Sequence, residues 1–159
     1  MKSKIALIFD KCRKAKRPAL ITYTVAGDNT KNNSLKILNK ISKHADILEL
    51  GFPHNTPIAD GGQIQGSSHR ALENGIKLKD VFQIVKKFKK NNPSKPVILM
   101  GYFNLIYQNG ENRFLKSCKI GYLAYNHSIT ILTRDQDKII LNHLFCFSLL
   151  FVRALVFSD

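Results

Sequence analysis

Acidic residues are scarce in this chain, with 11 Asp and Glu against 25 Lys and Arg in 159 residues and a formal net charge of +14. Cysteine is scarcer still. Cys12, Cys118 and Cys146 stand far apart, without CxxC spacing or a paired histidine motif, so neither a disulfide framework nor a cysteine–histidine metal signature is present. Reduced thiols in a cytoplasmic setting fit that usage. Apolar runs of targeting or spanning type are also lacking. The N-terminal run at residues 5–9 is short, meets Asp10 and has no small-residue cleavage site, so no secretion signal is expected. Residues 139–157 reach the length of a membrane span, but Asn142, His143, Ser148 and Arg153 interrupt them and make insertion costly; no membrane association is expected.

What is present is a 44% hydrophobic composition, enough for one domain with a core. The excess charge raises the question of nucleic acid, because clustered Lys and Arg gain affinity by releasing counterions. No aromatic-basic motif or helix-turn-helix pattern accompanies it. Lys11, Arg13, Lys14, Lys16 and Arg17, and again Lys86, Lys87, Lys89 and Lys90, lie on or beside helical patterns, where lysines cover a solvated face. Residues 122–159 are neutral, with Arg134, Lys138 and Arg153 balancing Asp135, Asp137 and Asp159; the whole excess sits in residues 1–121.

Hydrophobic periodicity gives an alternation. Ile5, Ile8, Phe9 and Cys12 mark a short amphipathic helix, and residues 19–25 a buried strand ending in the turn composition Ala26-Gly27-Asp28-Asn29. A helical stripe through Leu35, Leu38 and Ile41 follows Asn33-Ser34, with Ser34 or a neighbouring asparagine as its cap. Then come a strand at residues 46–50, helices at 64–72 and 78–88, and a strand at 97–100. Strands alternating with helices predict parallel βαβ units, hence an α/β fold: a doubly wound sheet or the start of a (β/α)₈ barrel. In either, ligands gather at the C-terminal strand ends, where Asp28, Glu49 and Tyr102 fall or nearly fall. Residues 122–130 show no turn or strand pattern.

The candidate chemistry is a pair of acids in unlike surroundings. Glu49 lies in the apolar strand Leu48-Glu49-Leu50-Gly51, and Asp60 in the loop Pro57-Ile58-Ala59-Asp60-Gly61-Gly62. Such a pair can hold different protonation states at one pH, as acid–base catalysis requires. A charged residue within an apolar strand needs a partner or a purpose, whereas Asp60 has a second reading, as a cap for the helix that follows.

Several ordered motifs between Arg17 and Gly121 resemble the tryptophan synthase alpha chain family. They are Arg17-Pro18-Ala19-Leu20-Ile21 with Ala26-Gly27-Asp28, Ala45-Asp46-Ile47-Leu48-Glu49-Leu50-Gly51-Phe52-Pro53, Ala59-Asp60-Gly61 with Ile64-Gln65, Arg70-Ala71-Leu72 with Gly75, Val97-Ile98-Leu99-Met100 with Tyr102 and Asn104, and Asn109-Gly110 with Phe114. The resemblance implies the N-terminal part of a (β/α)₈ TIM barrel, about three βα units within residues 1–121, followed by an unrelated tail, residues 122–159. It implies retro-aldol cleavage of indole-3-glycerol phosphate to indole and glyceraldehyde 3-phosphate, a lyase step of tryptophan biosynthesis. Glu49 would be the acid–base residue, Asp60 would accept the indole N–H, and Tyr23, Met100 and Tyr102 would line the indole pocket, although all three also suit ordinary barrel packing. The family needs no cofactor of its own, pyridoxal phosphate belonging to the beta subunit with which it forms an alpha2-beta2 heterotetramer.

The chain departs from the family pattern in two places. His54-Asn55-Thr56 stands where Phe-Ser-Asp is usual, removing an acid from the loop that meets the beta subunit, and Gly62 replaces a usual proline. After Gly121 nothing resembles the later βα units, so the family's phosphate-binding glycine loops have no counterpart, and a reading-frame change near residues 119–122 is the expected cause. The activity is therefore expected to be impaired by truncation. The alternatives are a non-catalytic remnant that binds the beta subunit and, on charge alone, a basic nucleic-acid-binding domain.

Overall fold

In the computed structural model, residues 4–120 and 131–133 are described. Strands β1 (Ile21–Val25), β2 (Ile47–Gly51), β3 (Val97–Gly101) and β4 (Ile131–Thr133) form one parallel sheet in the order β1-β2-β3-β4. Helix α1 (Lys4–Lys14) precedes β1, α2 (Lys31–Ile41) joins β1 to β2, α3 (Gly62–Glu73) and α4 (Leu78–Asn91) join β2 to β3, and α5 (Phe103–Asn109) and α6 (Glu111–Ile120) follow β3. Consecutive parallel strands joined through helices are the αβ repeat that periodicity predicts. The fourth strand is a finding beyond that prediction: three residues of the segment read as unrelated tail pair with β3, Leu99 with Ile131, Met100 with Leu132 and Gly101 with Thr133. Sequence pattern misses it because three residues are too few to show a period.

Alternation along the strands separates two faces. Leu48, Leu50, Val97 and Leu99 are buried in a core with Leu38 of α2, Val81, Val85 and Phe88 of α4, and Phe114 of α6. Each such large apolar side chain contributes about 1.5–3 kcal/mol on removal from water. The other face carries Tyr23, Glu49 and Ile98 in one register row, and Gly51 and Met100 in the next.

Helix α2 starts earlier than Asn33-Ser34 suggests. Thr30 is its cap, accepting the Asn33 N–H at 3.0 Å. Ser34 is instead buried in the first turn, where its hydroxyl accepts the Gly27 N–H at 2.7 Å. Gly27 has φ +85, and a Cβ there would lie 2.8 Å from the Ile76 side chain, so this turn requires glycine for both conformation and space.

The N-terminal strand ends are tied by charged groups. Arg17 donates two hydrogen bonds to Asp46, at 2.7 and 2.8 Å, while Asp46 also accepts the Leu20 N–H at 2.8 Å. These bonds hold the Asp46 carboxyl well below the usual carboxylate range. Lys89 donates to the carbonyls of Pro93 at 3.0 Å and Lys95 at 2.6 Å, and Lys4 reaches the Pro93 carbonyl at 2.9 Å. Among the described residues, no helix is long and apolar enough to cross a membrane. The apolar run at 139–157 lies outside them.

Candidate active site

Strand β2 places Glu49 between Tyr23 of β1 and Ile98 of β3 on the face opposite the helical core. Its carboxyl has no hydrogen-bond or ion-pair partner among the described residues, and burial pushes its pKa above the usual carboxylate value. The cause is desolvation: a charge between apolar strand neighbours loses water without gaining a counter-charge. A carboxyl so placed can hold a proton at a higher pH than an exposed one, the property an acid–base residue needs.

One row above, the backbone is pared down. Tyr23 extends over Gly51, where a Cβ would lie 2.1 Å from its hydroxyl oxygen, and the Phe52 ring crosses Gly101, where a Cβ would lie 2.1 Å from a ring carbon. These glycines let two aromatic side chains lie flat across the C-terminal strand ends. A cleft opens there, lined by Tyr23, Phe52, His54, Asp60, Met100 and Tyr102, with Ser68 and Gly101 completing it. Four of the five predicted site residues thus meet at one cleft, Tyr23, Asp60, Met100 and Tyr102. Glu49 does not line it but sits in the adjacent row, paired in register with Tyr23.

Asp60 is not a helix cap. Gly61 occupies that position without a side-chain bond. The carboxylate of Asp60 instead accepts the Tyr102 hydroxyl at 3.2 Å, and the same hydroxyl oxygen accepts the Ala59 N–H at 3.1 Å. Gln65 of α3 donates to the Asp60 carbonyl at 2.8 Å. Since the phenol has one proton, accepting from Ala59 leaves that proton for Asp60.

Asp28, near the end of β1, is committed elsewhere. Arg70 of α3 grips it through two hydrogen bonds of 2.8 and 3.0 Å, which hold its carboxyl below the usual value and tie α3 to the first loop. Three residues of the cleft region escaped the sequence reading as site residues: Phe52, His54 and Asn104. For His54 the available signal was its departure from the family's phenylalanine. No group of three His, Cys, Asp or Glu side chains placed to hold a metal ion occurs among the described residues.

The family model described as tryptophan synthase alpha chain matches residues 9–122. The tryptophan synthase alpha chain of Pelagibacter ubique is 68% identical over 117 residues, which are 74% of this chain and 44% of that protein. Among solved structures, tryptophan synthase subunit alpha from Legionella pneumophila superposes with a TM-score of 0.77 at 30% identity, over 85% of this chain and 50% of that one. A chain of the tryptophan synthase a2b2 complex from Pyrococcus furiosus superposes at 0.66 with 41% identity, over 74% of this chain and 47% of that one. The chain spans about half the length of the relatives it matches.

Proposed function

This chain belongs to the tryptophan synthase alpha chain family, and from that premise we propose that it carries the indole-handling half of a site for retro-aldol cleavage of indole-3-glycerol phosphate. Glu49 moves protons between indole C3 and the glycerol hydroxyl, desolvation raising its pKa so that it holds a proton at a higher pH than an exposed carboxyl does. Asp60, held by Tyr102, accepts the indole N–H. Tyr23, Met100 and Tyr102 line the ring's slot. The observation that carries the reading is the meeting of Asp60, Tyr102, Tyr23 and Met100 in one cleft beside Glu49 at the C-terminal strand ends.

The products are indole and glyceraldehyde 3-phosphate, and the reaction uses no cofactor of this chain, pyridoxal phosphate belonging to a beta subunit partner in the cytoplasm. The phosphate end of the substrate lies beyond the family-like unit, residues 1–121. Residues 122–159 we assign to a change of reading frame, which the nucleotide sequence around codon 120 tests; loss of barrel-like sequence in both alternative frames refutes it.

A chimera tests the activity. Residues 9–120 replace the matching segment of the 68%-identical relative, and indole release is measured. The chimera should cleave indole-3-glycerol phosphate, and Glu49→Gln should lower kcat by about 10²–10⁴-fold, the usual contribution of a positioned acid–base group. A folded chimera that releases no indole, or one indifferent to Glu49→Gln, refutes the assignment.

A further inference from the structure

We propose that His54 is a positioning residue that sets the indole preference of the cleft by holding the Tyr102–Asp60 pair, an inference that rests on the assignment of Asp60 to the indole N–H. His54 is only 8% exposed, and its ring stacks on Tyr102 with centroids 4.5 Å apart and planes 28° from parallel. Its Nδ1 accepts the Thr56 N–H at 3.0 Å, folding the loop back two residues on. Its Nε2 lies 2.9 Å from the side-chain amide of Asn104, in the first turn of α5. A neutral imidazole has one protonated nitrogen. With Nδ1 accepting, the proton resides on Nε2; the Asn104 Nδ2 that lies 2.9 Å from it is a second donor, so the carboxamide must turn over to present its oxygen to the Nε2–H.

His54 therefore bears on Tyr102, on the start of α5 and on the loop that leads to Asp60. It stacks on the ring of Tyr102, fastens the helix that begins just after Tyr102, and closes the loop that runs on through Ala59 and Asp60. The Tyr102 hydroxyl then joins the two, accepting from Ala59 and donating to Asp60. A phenylalanine at position 54, as the family usually has, would preserve the stack but leave the Thr56 N–H and the Asn104 amide without their ring partners. Small displacements matter here, because misplacing a contact by about 1 Å can cost on the order of 10²-fold in a site's performance.

The test compares the binding of indole and 1-methylindole to the full chain. Methylation removes the N–H that Asp60 accepts, so the affinity ratio reads the aim of Asp60 and not the general integrity of the fold. The native chain should prefer indole by about tenfold or more, as expected for a hydrogen bond to a charged acceptor, and Asp60→Asn should abolish the preference. His54→Phe, which keeps the stack but removes both ring-nitrogen contacts, should lower the ratio measurably without reaching the Asp60→Asn value. A ratio unchanged in His54→Phe, with Asp60→Asn still lowering it, overturns the role of His54 alone. No preference in the native chain overturns both that role and the assignment of Asp60. Independently of any variant, imidazole nitrogen NMR shifts of the native chain should show His54 protonated on Nε2, and the Nδ1–H tautomer would refute the proposal.

Discussion

At the N-terminal strand ends, Arg17 and Asp46 meet in a two-bond pair, and the buried ammonium of Lys89 is met by two backbone carbonyls. At the C-terminal ends, the Glu49 carboxyl is half-buried without a hydrogen-bond or ion-pair partner among the described residues, while Asp60 accepts from a phenol whose ring stacks on an imidazole. Both ends bury polar groups, but the first satisfies them internally and the second leaves bonding capacity facing a cleft. In a parallel α/β sheet this division is general: the N-terminal side carries stability and the C-terminal side carries ligands. The contrast identifies Glu49 as the group whose cost to folding needs a functional reason, because an uncompensated buried carboxylate lowers stability whenever it is ionised.

The contrast predicts different consequences for substitutions at the two ends. The largest is expected for Gly101→Ala, because the new Cβ would lie 2.1 Å from the Phe52 ring, which is itself buried and packed 6.0 Å from Phe114. Overpacking of this kind costs about 1–3 kcal/mol. Denaturant unfolding should show the loss, and indole affinity should fall with it, since Phe52 lines the cleft. Retained stability would mean that the strand ends are looser than the packing indicates.

An intermediate effect is expected for Lys89→Met, which should cost about 1–2 kcal/mol at neutral pH by leaving carbonyls unpaired and should spare indole affinity. Burial, with a smaller contribution from Lys4, lowers the Lys89 pKa from 10.5 to about 8. Between those values the unfolded chain binds more protons than the folded one, so the native chain gains stability as pH rises through the window. The gap between native and variant should therefore widen from pH 8 to pH 10.5 in melts of both proteins. A constant gap would show that Lys89 is hydrated in solution.

The smallest effect belongs to Arg17→Met, where the arginine is largely exposed and solvent screens the pair. The Asp46 carboxyl is held low by Arg17, so the pair's stabilisation is present above the unfolded value of 3.8 and lost as pH falls through the folded value. The difference in Tm between native and variant should shrink between pH 6 and strongly acid solution. An equal difference at both would show that the arginine acts by packing alone.

Much of the fold was legible because its elements are long and periodic. Helix α4 repeats Val81, Val85 and Phe88 on its buried side, and β2 and β3 are short apolar runs bounded by turn residues. Helix α2 was misjudged at its start because Thr30 and Ser34 are chemically alike as caps, and only the burial of Ser34 against the Gly27 N–H separates them. Beside the cleft, Glu49 was legible as a charge where an apolar residue belongs. Asp60 remained divided between a cap and a site role; the structure gives the cap position to Gly61 and joins Asp60 to Tyr102 at 3.2 Å, across 42 residues of sequence. His54 was visible only as a departure from a family pattern, because its partners Tyr102 and Asn104 lie about 50 positions away.

Taken alone, the sequence determined the parallel αβ repeat, the family and the desolvated position of Glu49, since each depends on local period, ordered motif or the neighbours along one strand. Tertiary structure alone decided which side chains share the cleft, that a fourth strand comes from residues 131–133, and that His54 bears on Asp60 through Tyr102. Local chemistry sets what an isolated strand or helix prefers, but the register of parallel strands and the crossing of loops bring distant residues within hydrogen-bonding reach, and no local pattern records those distances.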